Sequence, residues 1–230
     1  MTSPKRGIIL FIVEGPSDET ALAKGLEDVL GSQNVKVRVM HCDITTDKDS
    51  NSQTIRKRVG DIVKSYITRY GFKSSDIIKV VQITDTDGVY IQDQFVVEDS
   101  KIEHTIYTVD EIQTPRRDDI IKRNSRKREN LRILIQTKTI LGKIPYQILY
   151  FSSSLEHVLH NTLNATNAEK KALAEKFRLE YCSGIFNFSD FFTSTDISVH
   201  SKGYLDSWNF IYKDRNSLRR WTNFALCFLK

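Results

Sequence analysis

Apolar residues recur along this chain in two rhythms that alternate with one another. Ile8 to Val13 is an unbroken apolar run rich in β-branched side chains, the pattern of a parallel strand buried on both faces. Gly15-Pro16-Ser17 interrupts it, and Ser17 or Asp18 can cap a helix that carries Ala21, Leu22, Leu26, Val29 and Leu30 at helical spacing up to Gly31. Val35, Val37 and Val39 alternate with Lys36 and Arg38, predicting a half-exposed strand that ends near Cys42-Asp43. A polar loop over 45–52 follows. Ile55, Val59, Ile62, Val63, Tyr66 and Ile67 then predict a second helix closed by Gly71, and 77–83 a third strand running into Thr84-Asp85-Thr86-Asp87-Gly88. This β-α-β-α-β order implies right-handed crossovers and a mostly parallel sheet flanked by helices, an α/β fold of Rossmann-like type.

The rhythm changes after residue 88. Tyr90 to Asp110 reads as short β-like pieces, and 118–139 as a helix. A fourth buried strand spans 146–151, entered through Pro145; helices are predicted from Leu155, over 168–181, and over 217–228. The organisation expected is an α/β domain over 1–160 with an insertion at about 89–143, then a helical C-terminal extension over 161–230.

Composition narrows the class. The 230 residues are 40% hydrophobic and 27% charged, with only 10 glycines and 4 prolines, which excludes disordered and collagen-like chains. No apolar run approaches the roughly 20 residues of a membrane span. Lys5 and Arg6 precede an apolar stretch, but Glu14 and Asp18 follow at once and no small-residue cleavage site appears, so a signal peptide is not expected. Cys42, Cys182 and Cys227 are far apart and odd in number, without a CxxC pair, which suits a reducing cytoplasm and no structural zinc.

Charge is concentrated. Arg116, Arg117, Lys122, Arg123, Arg126, Lys127, Arg128, Arg132, Lys138 and Lys143 face only Asp118, Asp119 and Glu129 in the same segment. That segment carries +7 of a chain total of +5, leaving −2 elsewhere. Such a block predicts a polyanion partner, with the first eight of these residues as its contacts; a solvated helix face explains the same composition.

Carboxylates stand at two strand ends: Glu14 in FIVEGPSDE, and Asp85 with Asp87 in ITDTDG. Ligands of open α/β sheets bind beyond the carboxyl ends of the strands, where the crossover direction reverses. Asp85 and Asp87 are two apart and share one side of an extended backbone. A pair of like charges 4 Å apart costs about 4 kcal/mol at an effective dielectric of about 20. Tolerating three requires a protonated acid or a hard divalent cation, and oxygen-only ligands suit Mg²⁺ or Mn²⁺. Taken singly, each motif also reads as an ordinary turn after a strand.

These residues resemble a Toprim domain, the catalytic module of topoisomerases, primases, RecR-type proteins and OLD-family nucleases. Its glutamate after the first strand and DxD after the third are matched by Glu14, Asp85 and Asp87 in IILFIVEGPSDETAL and IIKVVQITDTDG. The resemblance covers about 5–160 and is strongest over 8–30 and 77–90. VEGPSDE is most similar to OLD-type nucleases and to small anti-phage abortive-infection effectors. The resemblance implies a metal-binding acid at Asp18, otherwise a simple helix cap. FSSSLEHVLHN resembles OLD-type and RloB-like relatives with a glutamate near the metal at Glu156, a position that also suits the helix dipole. The chain lacks the Walker A pattern and ATPase domain of long OLD-type proteins, a topoisomerase tyrosine domain and primase zinc modules.

The function implied is a Mg²⁺- or Mn²⁺-dependent nuclease acting on DNA or RNA, tRNA included, as an anti-phage effector. Its implied partners are nucleic acid, an ATPase regulator and a second copy of the chain. The alternatives are a non-catalytic nucleic-acid-binding scaffold and a small primase-like polymerase. His157 and His160 are three apart on a predicted helix but lack an HExxH arrangement, so packing is expected of them. Ser152 to Ser154 read as a turn and helix cap. Lys202, Lys213, Arg215, Arg219 and Arg220 interleave with Tyr204, Trp208, Tyr212 and Trp221, which suits either single-stranded nucleic acid or core packing.

Overall fold

Residues 7–32, 34–46 and 50–229 are described by a computed structural model of the chain. Lys5, Arg6 and the centre of the predicted 45–52 loop lie outside the described residues. In chain order the elements are β1 (Gly7–Val13), α1 (Pro16–Leu30), β2 (Val35–His41), α2 (Ile55–Arg69) and β3 (Ile77–Asp85). Then come β4 (Val96–Glu98), β5 (Ile106–Tyr107), β6 (Ile112–Thr114), α3 (Arg117–Gln136), β7 (Thr139–Ile140) and β8 (Ile144–Ser152). The chain continues through α4 (Leu155–His160), α5 (Asn167–Cys182), α6 (Phe188–Thr193), α7 (Tyr204–Ile211) and β9 (Trp221–Thr222).

The main sheet runs β2-β1-β3-β8-β7, with β9 also on β8. β2, β1, β3 and β8 are parallel, while β7 and β9 are antiparallel to β8. Helices cover both faces, so alternate strand residues enter two separate cores. Leu10, Ile12, Val80 and Ile148 pack with α2, α3 and α7, through Val63, Leu134 and Trp208 among others. Phe11, Val13, Val81 and Leu149 pack with α1, α4, α5 and α6, through Leu22, Val158, Phe177 and Phe188. Burial on both faces is the reason the strands read as continuous apolar runs. Gly25 of α1 permits the close approach of α6: a Cβ there would lie 2.1 Å from Phe188 Cδ2.

One segment differs from the sequence reading. The helix predicted over 217–228 is absent; that stretch forms short 3₁₀ turns on either side of β9, because Thr222 and Asn223 are drawn into hydrogen bonds with β8. The segment after residue 88 follows the reading of short strands and then a helix: it forms a small β4-β6-β5 sheet, then α3, which buries Leu131 and Leu134 in the core shared with α2 and α7. The C-terminal segment supplies β9 to the main sheet and aromatic rings to both of its cores, Trp208 to one and Phe188, Phe192 and Phe224 to the other. No helix among the described residues is long and apolar enough to cross a membrane.

Candidate active site

The chain visits the sheet in the order that places a topological switch point between β1 and β3, where crossovers leave in opposite directions and the strand ends splay into a crevice. Glu14 follows β1 directly and Asp85 is the last residue of β3. The next strand, β8, leads through a Ser154-capped turn into α4, whose first turn carries Glu156; the Ser154 hydroxyl accepts from the His157 amide at 3.3 Å. Pro16 opens α1 and Gly15 is its N-cap, so neither Ser17 nor Asp18 takes the N-cap position expected of them; Asp18 sits in the first turn and its Oδ2 accepts back from the Gly15 amide at 2.9 Å.

These acids converge. Glu14, Asp18, Asp85 and Glu156 line one cavity of about 460 Å³, together with Asp43 from beyond β2 and Lys170 and Lys171 from α5. Asp87 turns elsewhere. It sits at φ 48°, in the left-handed region, so it does not continue the strand alternation that would have set it beside Asp85. Gly88 follows at φ +65°. The loop is bolted to the C-terminal segment: the Thr86 hydroxyl and the Gly88 amide donate to the Ser217 carbonyl at 2.7 and 3.1 Å.

Asp87 meets Lys127 instead. The Lys127 ammonium, fully buried, lies 2.6 Å from Asp87 Oδ2 and 3.6 Å from Glu14 Oε1. Arg123 of the same helix donates to the Asp87 carbonyl at 3.0 Å and to the Tyr107 hydroxyl. The Thr84 hydroxyl donates to Glu14, and the Thr45 hydroxyl reaches the same oxygen at 3.4 Å. Glu14 therefore borders both the open cavity and the buried lysine.

The charge balance differs between the two sides. Burial would raise the Asp87 carboxyl, but Lys127 and Arg123 outweigh it and hold Asp87 below the usual carboxylate range. Burial also opposes the charge on Lys127, and Asp87 and Glu14 overcome it, so its ammonium is held more firmly than an ordinary lysine's. On the cavity side the negative charge is under-compensated. Burial pushes Glu14 up to about 7 despite Lys127. Burial, with the Glu156 charge, pushes Asp18 up to about 6 against its bond to Gly15. Asp85 is raised well above the carboxylate range by burial and then by the charges of Glu14, Asp18, Asp87 and Glu156. Glu156 Oε2 is buried without a hydrogen bond, 3.6 Å from the Lys170 ammonium.

The donor chemistry fits a hard divalent cation: desolvated carboxylates, one with an oxygen lacking a hydrogen bond, beside a deficit of positive charge. The spacing is a separate matter. Among the described residues no group of three or more Asp, Glu, His or Cys side chains stands as a metal-holding set.

The basic residues of 116–132 divide into three kinds. Arg116, Lys122 and Arg132 are exposed. Arg117, Arg126 and Arg128 are half-buried and donate to the backbone carbonyls of Val96, Thr46 and Val89. Arg123 and Lys127 belong to the Asp87 network, so the role expected of Lys127 in gripping a nucleic-acid backbone is replaced by an internal one, since it presents nothing to solvent. The sequence carried a signal for this. Ile120, Asn124, Lys127, Leu131 and Leu134 fall on one helical stripe, so Lys127 shares the buried face with two leucines. Lys170, Lys171 and Asp43 carried no comparable signal, because each reaches the cavity only through tertiary folding. His157 Nδ1 accepts from the Ser153 amide at 3.3 Å, and His160 Nε2 bonds the Leu173 carbonyl at 2.9 Å, which are packing roles.

No family model, curated protein or solved structure matches the chain.

Proposed function

We propose that the chain is a Toprim-type nuclease that hydrolyses phosphodiester bonds in nucleic acid with Mg²⁺ or Mn²⁺. The observation that carries this reading is the cavity at the switch point, which gathers Glu14, Asp18, Asp85 and Glu156 and where Asp85, Asp18 and Glu14 are all pushed up by burial and by neighbouring carboxylates. Asp18, Asp85 and Glu156, with Glu14 at the border, are the residues that would hold the ion. A bound divalent ion supplies Lewis acidity towards a phosphodiester and makes an attacking water more acidic. Lys127 keeps Asp87 ionised and fixes the loop after β3, so the neighbouring Asp85 is presented to the cavity. Lys170 and Lys171 line the same cavity and offer positive charge to an incoming phosphate. The exposed Arg116, Lys122 and Arg132 add sequence-independent attraction to the backbone, which weakens as salt rises.

The resemblance carries the wider reading: an anti-phage effector in the cytoplasm, acting on DNA or on RNA such as tRNA, alongside an ATPase regulator or a second copy of the chain. Incubating the protein with single- and double-stranded DNA and RNA, with and without Mg²⁺ or Mn²⁺, tests the activity. Cleavage should require the cation and vanish in Asp85→Asn and Glu14→Gln; cleavage surviving both substitutions overturns the reading.

One observation favours a second reading, a non-catalytic nucleic-acid-binding scaffold. Lys127 already supplies an internal positive charge to Glu14 and Asp87. That reading expects metal-independent, salt-sensitive binding without turnover.

A further inference from the structure

β2 is hydrogen-bonded to β1 and forms one end of the main sheet. Beside it lies a groove of about 780 Å³, bounded by residues 38–42 on one side and by α2 and the turn after it on the other. Three aromatic rings line it. Tyr66 and Tyr70 have ring centroids 4.6 Å apart, and Phe72 stands 6.2 Å from each. Arg69 lies over the Tyr70 ring at 5.6 Å, and Arg38 lines the groove as a second cation. Tyr66 is buried, but Tyr70 is 54% exposed, so the cluster offers an aromatic surface to solvent.

The groove adjoins the acidic cavity. Its lining includes Glu19 and Cys42, next in the chain to Asp18 and Asp43, which line the cavity. Between Glu19 and Cys42 the wall is closed by His41, whose Nδ1 lies 3.2 Å from Glu19 Oε2. Aromatic faces with guanidinium groups beside them bind unpaired bases by stacking while the cations meet the phosphates. A duplex keeps its bases stacked on one another and has no free face to offer such a surface.

We infer that this groove stacks an unpaired nucleobase, making single-stranded nucleic acid the strand delivered to the acidic cavity. This rests on the nuclease reading for its functional meaning, but the binding is measurable without turnover.

The test uses the full chain in EDTA, with fluorescent thymidine and uridine homopolymers of about 12 nucleotides, within the span that one such groove can track, and a duplex of the same length. Tyr70→Ala should weaken single-strand binding roughly 10-fold, the order found for losing one stacked base. Tyr70→Phe should retain it, and duplex binding should be the same in all three proteins. Single-strand binding by Tyr70→Ala equal to wild type overturns the inference, leaves the nuclease reading standing, and frees the edge of β2 for a peptide strand. Equal loss for single strand and duplex overturns it too, because the contact would then be to the backbone. Wild-type protein that binds neither form overturns this inference, while the nuclease reading stands or falls separately on Mg²⁺- or Mn²⁺-dependent cleavage.

Discussion

Lys127 holds its ammonium 2.6 Å from a carboxylate oxygen of Asp87, fully buried, on a helix that sequence charge alone would leave in solvent. The pair joins α3 to the loop after β3. Removing one partner of such a pair leaves an uncompensated charge, which costs about 3–5 kcal/mol, whereas replacing both by apolar groups can be nearly neutral. Lys127→Met should therefore destabilise the protein by about 3 kcal/mol in urea titration, allowing for the partial exposure of Asp87. Adding Asp87→Asn to Lys127→Met, which removes the charge and keeps a side chain suited to the left-handed backbone at φ 48°, should recover much of that loss. Independent, additive losses would show that the two side chains are not coupled.

Gly88 turns the same loop. Its φ of +65° is open to glycine, and a Cβ there would lie 2.5 Å from Leu218 Cδ2 and 3.0 Å from Ile112 Cδ1. Gly88→Ala should cost about 1–3 kcal/mol through backbone strain, with a larger proportional loss of any nuclease activity, because Asp87 is carried on the neighbouring peptide. A variant as stable and as active as wild type would show that the loop tolerates another conformation.

The acidic cavity sets a pH dependence of stability. Glu14 is raised from 4.5 to about 7 and Asp18 from 3.8 to about 6, chiefly by burial. For an acid whose pKa is higher folded than unfolded, the folded state holds a proton the unfolded chain has already released. The stabilisation is complete below the unfolded pKa and is lost as pH rises through the folded one. In EDTA the Tm should fall between about pH 4 and about pH 7, and Asp18→Asn should flatten the fall by removing one of the titrating groups. Differential scanning calorimetry across that range checks it. A wild-type Tm that rises over the same interval contradicts the charge balance described.

Much of this architecture was legible in the chain. The unbroken run from Ile8 to Val13 announced a strand covered on both faces, and Glu14 and Asp85 follow from being the residues at which two such strands stop. Asp87 was not legible, because strand alternation extends only as far as the backbone stays extended, and a positive φ at that residue ends it. The 217–228 segment has the apolar density of a helix, yet Thr222 and Asn223 bond to β8 and form an edge instead. That pairing depends on a strand about 70 residues earlier, and no local pattern encodes it.

A buried, repelling carboxylate favours a divalent cation and disfavours itself without one. Asp85→Asn should therefore raise the Tm in EDTA near pH 8 by a few degrees while abolishing any rise on adding Mg²⁺. Thermal unfolding of the two proteins with and without Mg²⁺ shows both effects. An EDTA Tm that drops on substitution would mean that Asp85 is stabilised where it stands.

Calorimetric titration of Mn²⁺ into wild-type protein and Asp85→Asn at about pH 7.5, above the values to which Glu14 and Asp18 are raised, bears most directly on the acidic cavity as a metal site for phosphodiester hydrolysis. Saturable binding of one or two ions by the wild type, lost in the variant, is the expected result. Equal binding by both proteins, or by neither, would contradict the account.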